Sequence, residues 1–232
     1  MRRFRWFYAE WPLDIRTLSK RLKLRTFSPE VGHGFIIDRV RDDFLEAKYI
    51  EQVEYTDIII DPFGNELNFE RIEFRQTLFR VTKDGPGLEL IDAPRSVQPL
   101  MNRLSEAVDF EVAINSISVN PLSWLKGFEN LCGGHLEVNS LQIGALEIEP
   151  GINAKIVLKG TRDVQSASSS LTNEKKHKIE KIQLQLQQPY KGAVILSASG
   201  SVTIGSESIA DQLIQPLRAS LAEAMQSHKS TP

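Results

Sequence analysis

One cysteine, Cys132, stands among 232 residues. It excludes an intramolecular disulfide and makes a reducing compartment, the cytoplasm, the expected location. Long apolar runs are missing as well. None approaches the ~18 residues of a membrane span, and the triplet Ile58-Ile59-Ile60 reads as part of a strand. The first eleven residues mix Arg2, Arg3 and Arg5 with aromatics and have neither the apolar stretch nor the small-residue cleavage site of a secretory leader. No membrane partner is expected. An excess of one charge is also lacking: 28 basic residues face 30 acidic ones, for a net charge of −2. That excludes a uniformly basic nucleic-acid coat and leaves local patches open.

Signature loops of catalysis are equally scarce. Gly32-x-Gly34 and Gly85-x-Gly87 are not phosphate loops, because neither opens a helix with a following lysine and hydroxyl. A serine-centred elbow, a dinucleotide fingerprint and a kinase signature are all absent from the sequence. Cys132 and His135 are two potential zinc ligands where a structural site needs four. Asp38 or Asp42 with Glu46 and Lys48 fits the loose acidic-x-lysine pattern of metal-dependent nucleases, and it fits a plain wet strand equally well. Asp57 and Asp61 share a strand parity on which two carboxylates could hold a cation, although Asp61-Pro62 also reads as a turn start. No cofactor and no metal are expected, and a catalytic role is the weakest reading.

What is present is a patterned α+β chain. Phe4–Trp11 reads as an aromatic strand. Asp14 caps a helix that buries Ile15, Leu18 and Leu22. Leu45, Ala47, Tyr49, Val53 and Tyr55 alternate with polar residues, the pattern of a strand with one wet face. Strands around Ile72–Val81 and Leu88–Ile91 lead to a helix capped by Ser96. The second half repeats the plan: a strand over Phe110–Val119, a helix started by Asn120-Pro121 and stopped by Gly133-Gly134, and strands over Leu136–Ile148 and Ala154–Lys159. A polar loop over Thr161–Lys178 follows, then a strand alternating Ile182, Leu184 and Leu186 with Gln183, Gln185 and Gln187, a hairpin around Gly200, and a last helix from Ile209 to Met225.

Residues 97–108 and 214–225 align without a gap at a shift of 117 residues, with six identities in twelve positions that include a shared Gln-Pro-Leu. Proline is rare inside helices, so helical amphipathicity alone does not account for the match. The expected architecture is therefore an internally duplicated unit of strand, helix, four antiparallel strands and helix. Its halves are 1–109 and 110–232, forming two curved antiparallel sheets backed by helices. This element order resembles the duplicated saddle of the TATA-binding protein. The resemblance implies a shared fold plan. The DNA chemistry is not matched, because the candidate open faces, Glu46, Lys48, Gln52 and Glu54 in one half and Gln183, Gln185 and Gln187 in the other, are mixed or neutral.

Charge supplies the functional candidates. Residues 1–30 hold eight basic and three acidic side chains, and residues 31–75 hold five basic and eleven acidic. Arg2, Arg3 and Arg5 alternate with aromatics that include Trp6, and Arg16, Lys20, Lys23 and Arg25 extend the basic edge. Arginines suit phosphate contacts, and aromatics suit stacking on unpaired bases. The same cluster suits a partner-protein surface or a solvated edge neutralised by the acidic strands. The first reading is a non-catalytic binding or scaffold subunit of a larger assembly, with a protein partner or self-association through sheet edges. The alternative is single-strand or RNA binding through the basic edge. A divergent nuclease comes last.

Overall fold

A computed structural model describes residues 1–173, 175–186 and 191–229, with side chains as far as Gln226. Among them are five helices and eleven strands in a mixed α+β arrangement with antiparallel pairing. The chain divides into two compact units, Ala9–Ile114 and Met1–Tyr8 together with Asn115 onward.

The unit of Ala9–Ile114 contains α1 (Ile15–Lys23), β2 (His33–Val40), β3 (Phe44–Ile60), β4 (Glu66–Thr82), β5 (Gly87–Ile91) and α2 (Gln98–Ala107). Its strands form a meander in the order β2-β3-β4-β5. α1 starts where Asp14 accepts the Thr17 amide at 2.9 Å and the Thr17 hydroxyl at 2.6 Å. The helix turns Ile15, Leu18 and Leu22 inward at its 3.6-residue period. They meet the inward face of the sheet, where Phe35 packs against Tyr49 and Phe79 at ring separations of 5.5 and 5.9 Å and Leu45, Val81, Leu88 and Leu90 are buried. α2 closes the core with Leu100 and Leu104. Its N-cap is Val97 and makes no side-chain cap bond, so Ser96 does not cap the helix. Pro99 in the first turn sets the entry instead, because its missing N–H would have been unsatisfied there anyway.

The other unit contains β1 (Arg2–Ala9), β6 (Ile114–Ser116), α3 (Pro121–Cys132), β7 (Glu137–Glu149), β8 (Ile152–Lys159), α4 (Gln165–Thr172), β9 (Lys178–Leu186), β10 (Gly192–Ser197), β11 (Ser201–Ile204) and α5 (Glu207–Lys229). Its strands run in the order β8-β7-β9-β10-β11-β1, and β6 pairs with β1. Trp6 and Trp124 meet edge to face at 5.8 Å in its core. The Trp124 indole N–H donates to the Leu217 carbonyl at 3.0 Å and to the Ser220 hydroxyl at 3.1 Å. This ties α3 to α5 close to Pro216, which cannot donate a helical bond of its own. Gly127 makes the approach possible: a Cβ there would lie 3.3 Å from that of Ser220.

Two further local expectations are corrected. The strand expected over Phe110–Val119 is confined to Ile114–Ser116, because Asp109 and Phe110 adopt positive φ angles of 55° and 63° and break extension. The expected loop over Thr161–Lys178 contains α4. There Asp163 accepts the Gln165 amide at 2.7 Å, and Ser169, Ser170 and Thr172 bond back to carbonyls four residues earlier. Gln187 lies outside the described residues.

Candidate interaction surface

The most exposed structure is the hairpin β3–β4. Its strands pair continuously from Phe44↔Thr82 to Ile60↔Glu66. β2 covers β3 only as far as Glu51, and β5 covers β4 only from Leu78 onward. Residues 52–60 and 66–77 therefore run on as a two-stranded ribbon with both outer edges open, about 30 Å long at ~3.4 Å per residue. A hairpin of this kind is marginal by itself. Local chemistry holds the tip. Asp61 accepts the Phe63 and Asn65 amides, both at 2.8 Å, and the Asn65 side-chain amide at 2.9 Å. The Asn65 side chain, and then the backbone amides of the turn, hold the Asp61 carboxyl below the ordinary aspartate range. Gly64 supplies a φ of 87°.

Antiparallel register places residues of equal parity on one face. The odd face is internally neutralised. Asp57 pairs with Arg71 at 3.8 Å. Arg71 and Arg75 each lie 5.5 Å from the Tyr55 ring, and the Arg75 guanidinium also meets the Tyr55 hydroxyl. The even face carries Ile58, Ile60, Ile72 and Phe74 with Glu54, Glu66 and Glu70, and no cation lies on it between residues 52 and 76. Each of those four apolar side chains is more than half exposed. Ile59, Leu67, Phe69 and, in the turn, Phe63 at 90% add apolar surface on the other side of the tip. At its base the even face meets Phe27, whose ring stands edge-on to Phe74 at 5.9 Å.

At the foot of the ribbon a cleft of about 550 Å³ opens beside Tyr49, Glu51, Arg75 and Arg95. Burial, and then the Glu51 charge, push the Tyr49 phenol up. The nearby Arg103 pairs with Glu106 at 2.8 Å and also meets the Tyr49 hydroxyl. A separate groove of about 400 Å³ lies beside α1, lined by Arg16, Lys20, Lys23, Arg41 and Asp42.

The eight candidate residues of the basic edge divide between the units: Arg2, Arg3, Arg5 and Trp6 belong to one, and Arg16, Lys20, Lys23 and Arg25 to the other. Arg2 pairs with Glu207 at 3.2 Å and lies over the Phe4 ring at 5.8 Å, while Arg5 stacks on Phe7 at 4.6 Å. Trp6 is 1% exposed, so its ring packs the core and presents no face to a base. Arg16 pairs with Asp42 at 2.7 Å, and Arg25 donates to the Glu106 carbonyl at 3.0 Å. Lys20 and Lys23 are exposed and have no ion pair among the described residues.

The nuclease-like acids are each engaged with a cation: Asp38 with Lys48 at 3.3 Å, Glu46 with Arg80 at 3.2 Å, and Asp42 with Arg16. His135 bonds Glu129 at 2.8 Å. Desolvation pushes the Cys132 thiol up, away from a reactive thiolate. Among the described residues no group of three or more His, Cys, Asp or Glu is placed to hold a metal ion, and no helix is long and apolar enough to cross a membrane. Compared with known protein families and with curated proteins, the sequence matches none.

The ribbon was not among the candidates drawn from the sequence. Its signal was there: Ile58-Ile59-Ile60 breaks the alternation, so both faces of one strand are apolar, and 52–76 holds six acids against two arginines.

Proposed function

We propose that this chain is a non-catalytic protein-binding subunit that engages its partner through the β3–β4 ribbon. One observation carries the reading. A hairpin apolar on both faces projects beyond its sheet with its edges open, and such surface is costly to leave in water. Its acidity favours protein over nucleic acid, since phosphate binding calls for cations along the contact. RNA or single-strand binding through the basic edge has less support. Trp6 is buried, and Arg16 and Arg25 are already engaged.

The duplicated ancestry belongs to the same proposal. Supporting it, β2-β3-β4-β5 and β7-β9-β10-β11 are both antiparallel series that follow one helix and precede another, with β8 and α4 inserted in the second. On this reading the first copy has lengthened one hairpin into a binding arm.

The test removes the arm and spares the fold. Val53–Glu73 is replaced by Asn-Gly, a two-residue hairpin turn. In extracts of its native host the intact chain should migrate well above its 26.2 kDa mass, and the shortened chain should fall to the monomer position. Identical monomeric migration of both would refute the proposal.

A further inference from the structure

We infer that the occupant of the ribbon's even face is a second copy of this chain, and that each copy lays its arm along the α1 groove of the other. This rests on the ribbon being a binding element and adds what it binds. Three observations select the occupant. The first is charge. The even face offers Glu54, Glu66 and Glu70 with no cation, and the groove offers Arg16, Lys20, Lys23 and Arg41 against the single Asp42. The two surfaces are opposite in sign and equal in net charge. None of the three glutamates makes an ion pair among the described residues, and neither does Lys20 or Lys23. The second is apolar surface. Leu24, which follows Lys23 at the end of α1, is 84% exposed, so the basic surface carries beside it an apolar side chain suited to Ile58, Ile60 and Ile72.

The third is placement within the unit. Phe27, three residues beyond Leu24, packs against Phe74 at the base of the even face. The chain leaving α1 therefore reaches the base of the arm's docking face, while α1 itself packs on the opposite, odd face. Two copies related by a two-fold axis can each supply an arm and a groove, which is the self-complementary pattern of such an interface. One ribbon face about 30 Å long and ~10 Å wide covers only about 300 Å², whereas two reciprocal arm-in-groove contacts bring each partner to about 600 Å², the lower end of specific interfaces. Arm against arm is disfavoured, because it would bring six glutamates together without a cation.

Sedimentation equilibrium of the purified full chain, from 1 to 200 µM, tests this. A dimer is expected, weakening as salt rises. Lys20→Glu/Lys23→Glu and Glu54→Lys/Glu70→Lys should each raise the dissociation constant at least tenfold, and combining all four should restore it to within threefold of the original. These positions are exposed, so unchanged thermal unfolding of the variants checks that the fold persists. A purified chain that stays monomeric overturns the inference. If that monomer still migrates in host extracts as an arm-dependent larger species, the binding role of the ribbon survives with a different partner. A dimer indifferent to either charge pair, or one that the fourfold variant fails to restore, also overturns it.

Discussion

Phe69 and Phe79 lie on the same face of the same strand, ten residues apart, and their replacement by alanine should give very different results. Phe79 is 1% exposed and packs on Phe35. Losing about 100 Å² of buried apolar area costs about 2.5 kcal/mol at ~25 cal/mol per Å². The vacated volume of about 80 Å³ adds roughly 2 kcal/mol at ~24 cal/mol per Å³. Phe69 is 51% exposed. Only half of the same area is lost there, and water fills the space, so the cost is about 1 kcal/mol. The gap between the variants is therefore about 3 kcal/mol. Urea unfolding measures it, extrapolated to low protein concentration, because any partner bound to the native state adds apparent stability. The same samples supply a second readout. Phe69→Ala, on the face turned away from the proposed contact, should keep near-native stability and leave concentration-dependent association unchanged, and Phe79→Ala should unfold the chain early. Equal losses of stability at the two positions would refute the projecting ribbon, because Phe69 would then be packed as deeply as Phe79.

Two smaller predictions follow from the turns. Gly87 has a φ of 91°, and a Cβ there would collide with the Ala9 carbonyl, so Gly87→Ala should cost about 3 kcal/mol. Gly85→Ala, at φ 78° with nothing near its Cβ, should cost only about 1 kcal/mol, and similar urea midpoints for the two would show the contact to be soft. The Asp61 carboxyl should titrate below its ordinary value of 3.8, with the Phe63 and Asn65 amide shifts following it. A folded pKa below the unfolded one means that the turn is supported at neutral pH and that the support is lost as pH falls through the lowered value. A carbon-detected titration with its midpoint at or above 3.8 would contradict this.

The elements were legible because their causes are local. Asp14 and Asn120 each accept an amide at a helix start, Gly133 ends α3 at a φ of 72°, and the alternation around Leu45 and Ile182 gave the buried faces of β3 and β9. The ribbon was illegible for the converse reason. Val53 and Tyr55 continue the parity of Leu45, Ala47 and Tyr49, yet on that face of β3 the last buried residue is Tyr49. Periodicity reports which residues share a face and is silent on whether anything covers it. Trp6 failed as a candidate on the same ground. Alternation with arginine placed it on a common face with Phe4, and only the presence of Trp124 makes that face interior.

The near-zero net charge takes on a different meaning once charges are placed. Neutralisation of the basic leading segment by the acidic stretch 31–75 is seen at Arg16, which meets Asp42, whereas Arg21 and Arg2 meet Asp109 and Glu207 outside that stretch. It stops at the ribbon. There the odd face balances itself with Arg71 and Arg75, and the even face keeps three glutamates beside four exposed apolar side chains. A solvated edge protected from aggregation carries charge of either sign scattered along it, lysine above all. A single sign confined to one face, with the opposite sign left uncompensated on Lys20 and Lys23, instead resembles the two halves of one contact. The last turn of α1 gains a little from its cations through the helix dipole. That gain extends only about one turn and leaves Arg41, on the far wall of the groove, unexplained. Docking of the acidic ribbon accounts for Arg41 and for the helix cations together.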